Sequence, residues 1–348
     1  MKYINLGDGE IKISALGLGC MGMTHAYGKP SDENEMIKLI HSAFDMGITF
    51  FDTAECYLGT TENGDIASNE ELVGKALKNY HDTMSADVAA LVEADLLIMM
   101  SDIEGLYTDD PRTNPAARFV HTVNRIDEEL EKMGFNVDAD IFAEDDKYID
   151  LYYQHRLDPD VPVEEVAGTI SDLIKAGKIR AWGISEVDEE HIRRADKICP
   201  LTAIQNRYSM MYRYYEPLMP VLKELQITFV AHSPLANGFL TGKYNKESVF
   251  DKVYDYRSDM PQFKGDNQEL LDMLNNIATE KYSTPAQISL AWMMAKGIVP
   301  IPGTRKLQRL EENIGAADIL LTDEEVSRID ETLNTIKMSD VFWGHKIK

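Results

Sequence analysis

Three side chains in this sequence are of the kinds that handle protons: the carboxyl of Asp52, the phenol of Tyr57 and the imidazole of His155. Two of them stand where a strand should stop. Ile48-Thr49-Phe50-Phe51 is a short apolar run after Gly47, the pattern of a parallel strand buried on both faces, and Asp52 ends it. Tyr57 follows five positions later in a loop holding Gly59 and Gly64. Tyr148-Ile149-Asp150-Leu151-Tyr152-Tyr153-Gln154 is a further strand run, and it ends in His155. In α/β proteins the ends of parallel strands carry the chemistry. Taken singly, the three residues also fit plainer roles: an aspartate capping a turn, a half-buried tyrosine, a satisfied strand-end histidine. The surrounding elements must decide between these readings.

Those elements alternate. Residues 2–6 and 10–14 flank Gly7-Asp8-Gly9, a hairpin signal. Leu16-Gly17-Leu18-Gly19 reads as a first short inner strand. Met36, Ile37, Leu39, Ile40, Ala43 and Phe44 predict a helix over 34–46, stopped by Gly47, and a second helix covers 70–80. From 148 onward strands are expected at 148–155, 179–186, 201–208, 228–233 and 298–302. Helices are expected at 163–175, 188–198 with Asp188 as N-cap, 216–225, 267–281, 307–316 and 322–332. Thr284-Pro285 opens another helix, with the proline at its first turn. The polar loop 236–266 is long enough to be functional. With strand and helix alternating and no boundary dividing the chain, the expected fold is one (β/α)8 TIM barrel over residues 1–348. A doubly wound sheet is the runner-up. Gly17-Leu18-Gly19-Cys20-Met21-Gly22 has the G-x-G-x-x-G letters of its phosphate turn. Yet Gly17 and Gly19 fall inside the strand and 23–32 reads as loop, so that reading is rejected.

Composition narrows the function. The 348 residues are 44% hydrophobic and 27% charged, a globular balance. A net charge of -24 repels nucleic acid and anionic membrane, so any phosphate ligand needs a local basic cluster. Cys20, Cys56 and Cys199 have no CxxC spacing, which argues against a disulfide framework or a zinc site; no metal is expected. The most apolar window, 86–100, is interrupted by Asp87, Glu93 and Asp95 and is no membrane span. Residues 1–10 lack an apolar core of signal-peptide length, and a cytoplasmic location is the default.

In a barrel, Asp52, Tyr57 and His155 share one face with Ser185, Gln205, the stretch from Ser233 to Gly238 and that from Gly303 to Arg309. At this point the chain resembles an aldo-keto reductase. The resemblance rests on Gly17-Leu18-Gly19-Cys20-Met21-Gly22, Phe51-Asp52-Thr53-Ala54-Glu55-Cys56-Tyr57, Leu151-Tyr152-Tyr153-Gln154-His155, Trp182-Gly183-Ile184-Ser185-Glu186, Ala203-Ile204-Gln205-Asn206, Ser233-Pro234-Leu235-Ala236-Asn237-Gly238 and Ile301-Pro302-Gly303-Thr304-Arg305. These motifs run in order through residues 1–80 and 147–334.

The resemblance implies NADPH-linked reduction of an aldehyde or ketone, with a small carbonyl compound as partner and no nucleic acid or membrane. Tyr57 would be the acid and His155 the orienting donor. Asp52 would pair with a lysine that lowers the phenol's pKa. The resemblance further places Gly22, Met23, Asp52 and Glu186 beside the cofactor, with Ser185 and Gln205 at the nicotinamide carboxamide. Glu186 stands where many relatives have Asn, and His232 where many stack a Tyr on the nicotinamide. Ser233, Pro234, Leu235, Asn237 and Gly238 would cover the pyrophosphate. Thr304, Arg305 and Arg309 would clamp the adenosine 2′-phosphate and Asn313 would meet the adenine, with Gly303 and Glu312 also beside the cofactor. Arg305, Lys306 and Arg309 form a basic island in an acidic chain; alone they would read as a solvated helix start.

Residues 81–146 break the rhythm. The third strand and its lysine are expected there, yet no lysine lies between Lys78 and Lys132. The run Ser101-Asp102-Ile103-Glu104-Gly105-Leu106-Tyr107-Thr108-Asp109-Asp110-Pro111-Arg112 resembles gamma-glutamyl kinases of the amino-acid kinase fold, a likeness extending over about 81–134. It implies that Asp82 faces an amino acid and that Ser101, Asp102 and 107–112 face a nucleotide. The kinase's phosphate-cradling Gly/Lys loop is absent, so phosphoryl transfer is not expected. The segment reads as grafted at the third β/α unit. Asp95-Leu96-Leu97-Ile98-Met99-Met100 could supply the third strand, which would put Ser101 or Asp102 where the lysine belongs. The rival readings are a pseudoenzyme that binds NADPH without catalysis, a non-functional chimera and a kinase-like hybrid.

Overall fold

The computed structural model describes residues 1–9, 11–83, 96–101 and 149–341, with the backbone alone at 79–83 and 96–101. Eight parallel strands form the sheet: β3 (Leu18–Gly19), β4 (Phe50–Asp52), β7 (Leu96–Ser101), β8 (Ile149–Gln154), β9 (Ile179–Ser185), β10 (Ala203–Arg207), β11 (Thr228–His232) and β12 (Val299–Pro300). Their spatial order follows their chain order, and a parallel bridge from Gly19 to Gly303 closes the sheet into a barrel.

Closure explains the glycine motif near the N-terminus. A Cβ on Gly19 would lie 2.8 Å from the Ile301 carbonyl, and one on Gly303 would lie 2.8 Å from the Gly19 carbonyl. The first and last strands meet only because neither carries a side chain there. The G-x-G letters therefore serve strand contact, and no dinucleotide turn follows them.

Alternation along each strand sorts the core. Phe50, Leu151, Tyr153, Ala181, Ala203, Val230 and Ile301 fill the barrel interior, while Phe51, Trp182, Ile184, Ile204 and Phe229 pack outward beneath the helices. The antiparallel hairpin of β1 (Tyr3–Asn5) and β2 (Lys12–Ser14) brings Leu6, Ile11 and Ile13 against the inner cluster. Its Gly7 N–H donates to Thr228 Oγ1 at 2.7 Å, at the start of β11, so the hairpin covers the amino end of the barrel. Helix starts behave as their sequences require. Thr284 and Gln287 form a capping box, as do Thr322 and Glu325, and Asp188 accepts from the His191 N–H.

Two regions depart from the sequence expectation. β5 (Leu58–Thr60) and β6 (Ile66–Ser68) form a hairpin where only loop was expected. Its apolar residues, Leu58 and Ile66, are exposed, so no burial pattern announced it. The strand expected at 298–302 pairs only through Val299 and Pro300, because the proline removes a donor and the chain turns off into the closing bridge.

The third barrel position is filled. β7 lies between β4 and β8, pairing Asp52 with Ile98, Met100 with Tyr153 and Ser101 with Gln154. Ser101 thus ends that strand. Asp102, the 107–112 run and the rest of 102–148, like 84–95, lie outside the described residues.

Candidate active site

At the carboxyl ends of the strands lies a cavity of about 790 Å³. Gly22, Asp52, Tyr57, His155, Ser185, Gln205, His232, Ser233, Pro234, Leu235, Asn237, Gly238, Gly303, Thr304, Arg305, Arg309, Glu312 and Asn313 all line it. Two expected site residues do not. Met23 is fully buried in the cluster between barrel and helices, held there by the short 3-10 turn Met21–Met23; Met21 takes the lining position instead. Glu186 turns away into a neighbouring cavity of about 670 Å³.

One end of the cavity gathers ionisable side chains. Asp52 is 4% exposed and accepts from Gln205 Nε2 at 2.9 Å. Burial lifts its carboxyl to about 7, and the Gln205 bond only partly opposes this. The Tyr57 ring lies edge-on to His155, centroids 6.3 Å apart, and its other neighbour is His25, 6.2 Å away and nearly parallel. Burial raises the Tyr57 phenol well above the usual tyrosine value. The Asp52 charge raises it further, and Arg156 pulls in the opposite direction. Burial, and after it the positive charge of Arg156, lowers His155 to about 3, so its ring is neutral at working pH. The Cys56 sulfur lies 3.8 Å from Nδ1. With the thiol donating there, the ring proton is left on Nε2.

The Asp52 shift has a sign that can be tested. A carboxyl raised on folding contributes its full stability below about pH 4 and loses it as pH rises through 7. Asp52→Asn keeps an acceptor for Gln205 and removes the buried charge. It should match the parent at pH 4 and exceed it at pH 8, by roughly 4 kcal/mol at most. Urea midpoints at the two pH values check this; a variant less stable than the parent at pH 8 would mean that a cation neutralises Asp52.

Glu186 and His232 form a buried pair. Glu186 Oε1 takes the Arg207 backbone N–H at 2.7 Å and His232 Nε2 at 2.6 Å, and Oε2 takes the Tyr215 hydroxyl at 2.9 Å. Burial pushes the Glu186 carboxyl up, but these donors and the nearby charges outweigh it and hold the group below the usual range. Burial lowers His232, against the pull of Glu186. A neutral ring that donates from Nε2 and accepts from Ser233 Oγ, 3.2 Å from Nδ1, satisfies every contact. Glu186 and Ser233, each directly after a strand, hold φ of 55° and 54°; such left-handed residues concentrate at functional sites.

The other end is basic. Arg305 donates to the Tyr27 carbonyl at 2.9 Å, and Lys243 pairs with Glu312 at 3.0 Å; Lys306 and Arg309 complete the group. The loop 236–266 closes over this end. Its Arg257 pairs with Asp255 at 2.5 Å and lies over the rings of Tyr27, Tyr244 and Phe250. The chain around Tyr27 bridges Asp255, and Asn237 donates to the Tyr27 hydroxyl at 2.9 Å.

Sequence reasoning passed over Tyr27, Arg156, Arg207, Lys243, Tyr244 and Arg257, all of which line the cavity. Arg156 had a local signal, since it directly follows His155. Tyr27 and Arg257 had none; only the contact between two distant loops brings them to the cleft. Among the described residues no cluster of His, Cys, Asp and Glu could hold a metal, and no helix is long and apolar enough to cross a membrane.

Known proteins resemble this chain in sequence and in fold. Over 351 residues the chain is 34% identical to a probable aldo-keto reductase of Glycine max, covering 99% of this chain and 91% of the relative. A thermostable aldo-keto reductase solved with the inhibitor epalrestat superposes with a TM-score of 0.66 at 26% identity, over 95% of this chain and all of the other. A glycerol dehydrogenase of Gluconobacter oxydans superposes with a TM-score of 0.72 at 24% identity, over 95% of this chain and 94% of the other, and shares the fold. A Klebsiella pneumoniae aldo/keto reductase, solved with NADP and acetate, shares it too: TM-score 0.66, 22% identity, 98% and 99% of the two chains. Residues 15–334 match the Aldo/keto reductase family, through the third strand and on to the basic end of the cleft. By this match and by the ordered barrel that carries it, the chain belongs to the aldo-keto reductase family of oxidoreductases.

Proposed function

We propose that the protein reduces aldehydes or ketones to alcohols with NADPH. The observation that carries this reading is the polarity of one continuous cavity, with a phenol and a neutral imidazole at one end and four basic side chains at the other. The residues present fit a phosphorylated dinucleotide. Arg305 and Arg309, with Thr304, would hold the 2′-phosphate, since the guanidinium fork matches phosphate oxygens. Ser185 and Gln205 would hold the carboxamide, and His232 would present its ring to the nicotinamide. When bound, the nicotinamide supplies the hydride. At the carbonyl oxygen Tyr57 donates the proton, and His155 Nε2–H orients that oxygen and stabilises its developing charge. Asp52 acts on Tyr57 through its charge.

Cofactor choice tests the reading. NADPH should bind at least about tenfold more tightly than NADH, and Arg309→Ala should remove most of that ratio, because a charge-assisted bond to phosphate is worth roughly 1.5–3 kcal/mol. Fluorescence titration of both cofactors measures it; equal affinities, or an unchanged ratio in the variant, refute the clamp.

A second reading, an NADPH-binding barrel without reductase activity, is favoured by the Tyr57 phenol, which burial holds high, with no lysine beside Asp52 among the described residues. Turnover of a reactive aldehyde measured beside cofactor binding separates the two. The kinase likeness of 81–134 rests on sequence, and ATP binding with glutamate phosphorylation tests it.

A further inference from the structure

The proton-handling end of the cavity holds a cation that the reduction of a neutral carbonyl does not require. Arg156 is exposed, directly follows His155, and donates from Nη1 to Ser185 Oγ at 3.1 Å and to the His155 carbonyl. Both acceptors are neutral, and among the described residues no carboxylate pairs with it. It is close enough to Tyr57 and His155 to bias both of their protonation equilibria. It also lines both the main cavity and the neighbouring one, so it stands on the wall between them, as does Arg207, whose guanidinium lies over the Tyr212 ring at 5.4 Å.

Among the described residues, the acids near Arg156 are engaged elsewhere. Glu186 is occupied by donors from Arg207, His232 and Tyr215. Asp52 is buried, bonded to Gln205, and only partly ionised at neutral pH. The second basic group, around Arg305 and Arg309, lies at the far end of the cleft, where the proposed reading uses it for the cofactor. In a chain of net charge -24, the exposed Arg156 guanidinium beside the reacting groups suits an anion other than the cofactor's phosphate.

We propose that Arg156 binds a carboxylate of the substrate, so that the preferred substrates are aldehydes or ketones carrying a carboxylate a few bonds from the carbonyl. This rests on the reductase reading for the place of the carbonyl, beside Tyr57 and His155. Arginine suits the task because its planar fork meets both carboxylate oxygens while one Nη stays on Ser185. The carboxylate then anchors the substrate and fixes how far its carbonyl reaches toward the phenol.

The test compares 4-formylbenzoate with 4-formylbenzamide, which match in shape and differ in charge. In the native chain with NADPH, kcat/KM should favour the carboxylate by about tenfold or more. Arg156→Gln should bring the ratio near one, whatever it does to either rate alone. Arg156→Lys keeps the charge without the fork and should retain part of the preference; it also serves if the Gln variant does not fold. The native ratio should shrink as salt rises from about 50 to 500 mM. A native ratio near one, or a ratio unchanged in Arg156→Gln, overturns the inference; if the amide is reduced in that case, the reductase reading still stands. If neither compound is reduced, the reductase reading fails, and calorimetry of the alcohol pair, 4-(hydroxymethyl)benzoate and its amide, decides the anion site. Tighter binding of the carboxylate that Arg156→Gln abolishes supports the site, and equal binding of the two overturns it.

Discussion

Tyr57→Phe should lower kcat for NADPH-linked carbonyl reduction by roughly 10²–10⁴-fold, the usual contribution of a positioned general acid. The substitution removes the hydroxyl and keeps the ring, so the packing against His25 and His155 survives. The loss should therefore fall on kcat, with cofactor affinity by fluorescence little changed. The pH dependence carries a separate signature. Burial and the Asp52 charge hold the phenol protonated across the working range, so reduction should show no decline from tyrosine ionisation below pH 9. Oxidation of an alcohol with NADP needs the phenolate. Its rate should climb about tenfold per pH unit with no plateau before about pH 10. A plateau near neutrality would show that a cation has lowered the phenol, and a Phe variant as active as the parent would remove Tyr57 from the mechanism.

The second large effect is a gain. A lysine placed at Met100 should raise reductase turnover by about tenfold to a hundredfold, a part of what general acid catalysis supplies. Sequence alone put Ser101 or Asp102 at the lysine's place, and a one-residue slip of register would bring in Met100. The strand register distinguishes two of them, because it pairs Met100 with Tyr153 and Ser101 with Gln154. Tyr153 is fully buried inside the barrel, and Asp52 and Gln205 both act on its phenol, whereas Gln154 is partly exposed. Since strand faces alternate, a lysine entering at 100 joins the Tyr153 face, and one entering at 101 joins the other. The introduced ammonium would pair with Asp52, drop its carboxyl below neutrality and lower the phenol. Activity at Met100→Lys exceeding that at Ser101→Lys, together with a plateau appearing in the alcohol-oxidation profile, bears this out. Equal and unchanged rates in both variants, with NADPH still bound, would mean that the lysine is not what limits the site.

Much of the barrel was legible because each β/α unit is a local pattern. Ile48 to Phe51 reads as a buried strand from four residues, and Thr284-Pro285 with Gln287 reads as a helix start from one turn of chain. The β5–β6 hairpin was illegible for the converse reason: its outward Leu58 and Ile66 leave no periodic burial to read. Met23 misled because its neighbours line the cleft, and a single 3-10 turn suffices to rotate one side chain into the core.

By itself the sequence determined that the chain is an α/β barrel whose strand ends carry Asp52, Tyr57 and His155, and that the basic residues of an acidic protein gather near Arg305. Hydrophobic periodicity and charge composition are local sums, and they survive without coordinates. Only the tertiary structure decided that Leu96–Ser101 fills the third strand, that Asp52 is bonded to Gln205 from 153 residues away, that Glu186 is drawn from the cleft to His232, and that Arg156 is left with neutral partners at the reacting end. Those outcomes depend on desolvation and on contacts between residues far apart in the chain, and both come into being only when the barrel closes.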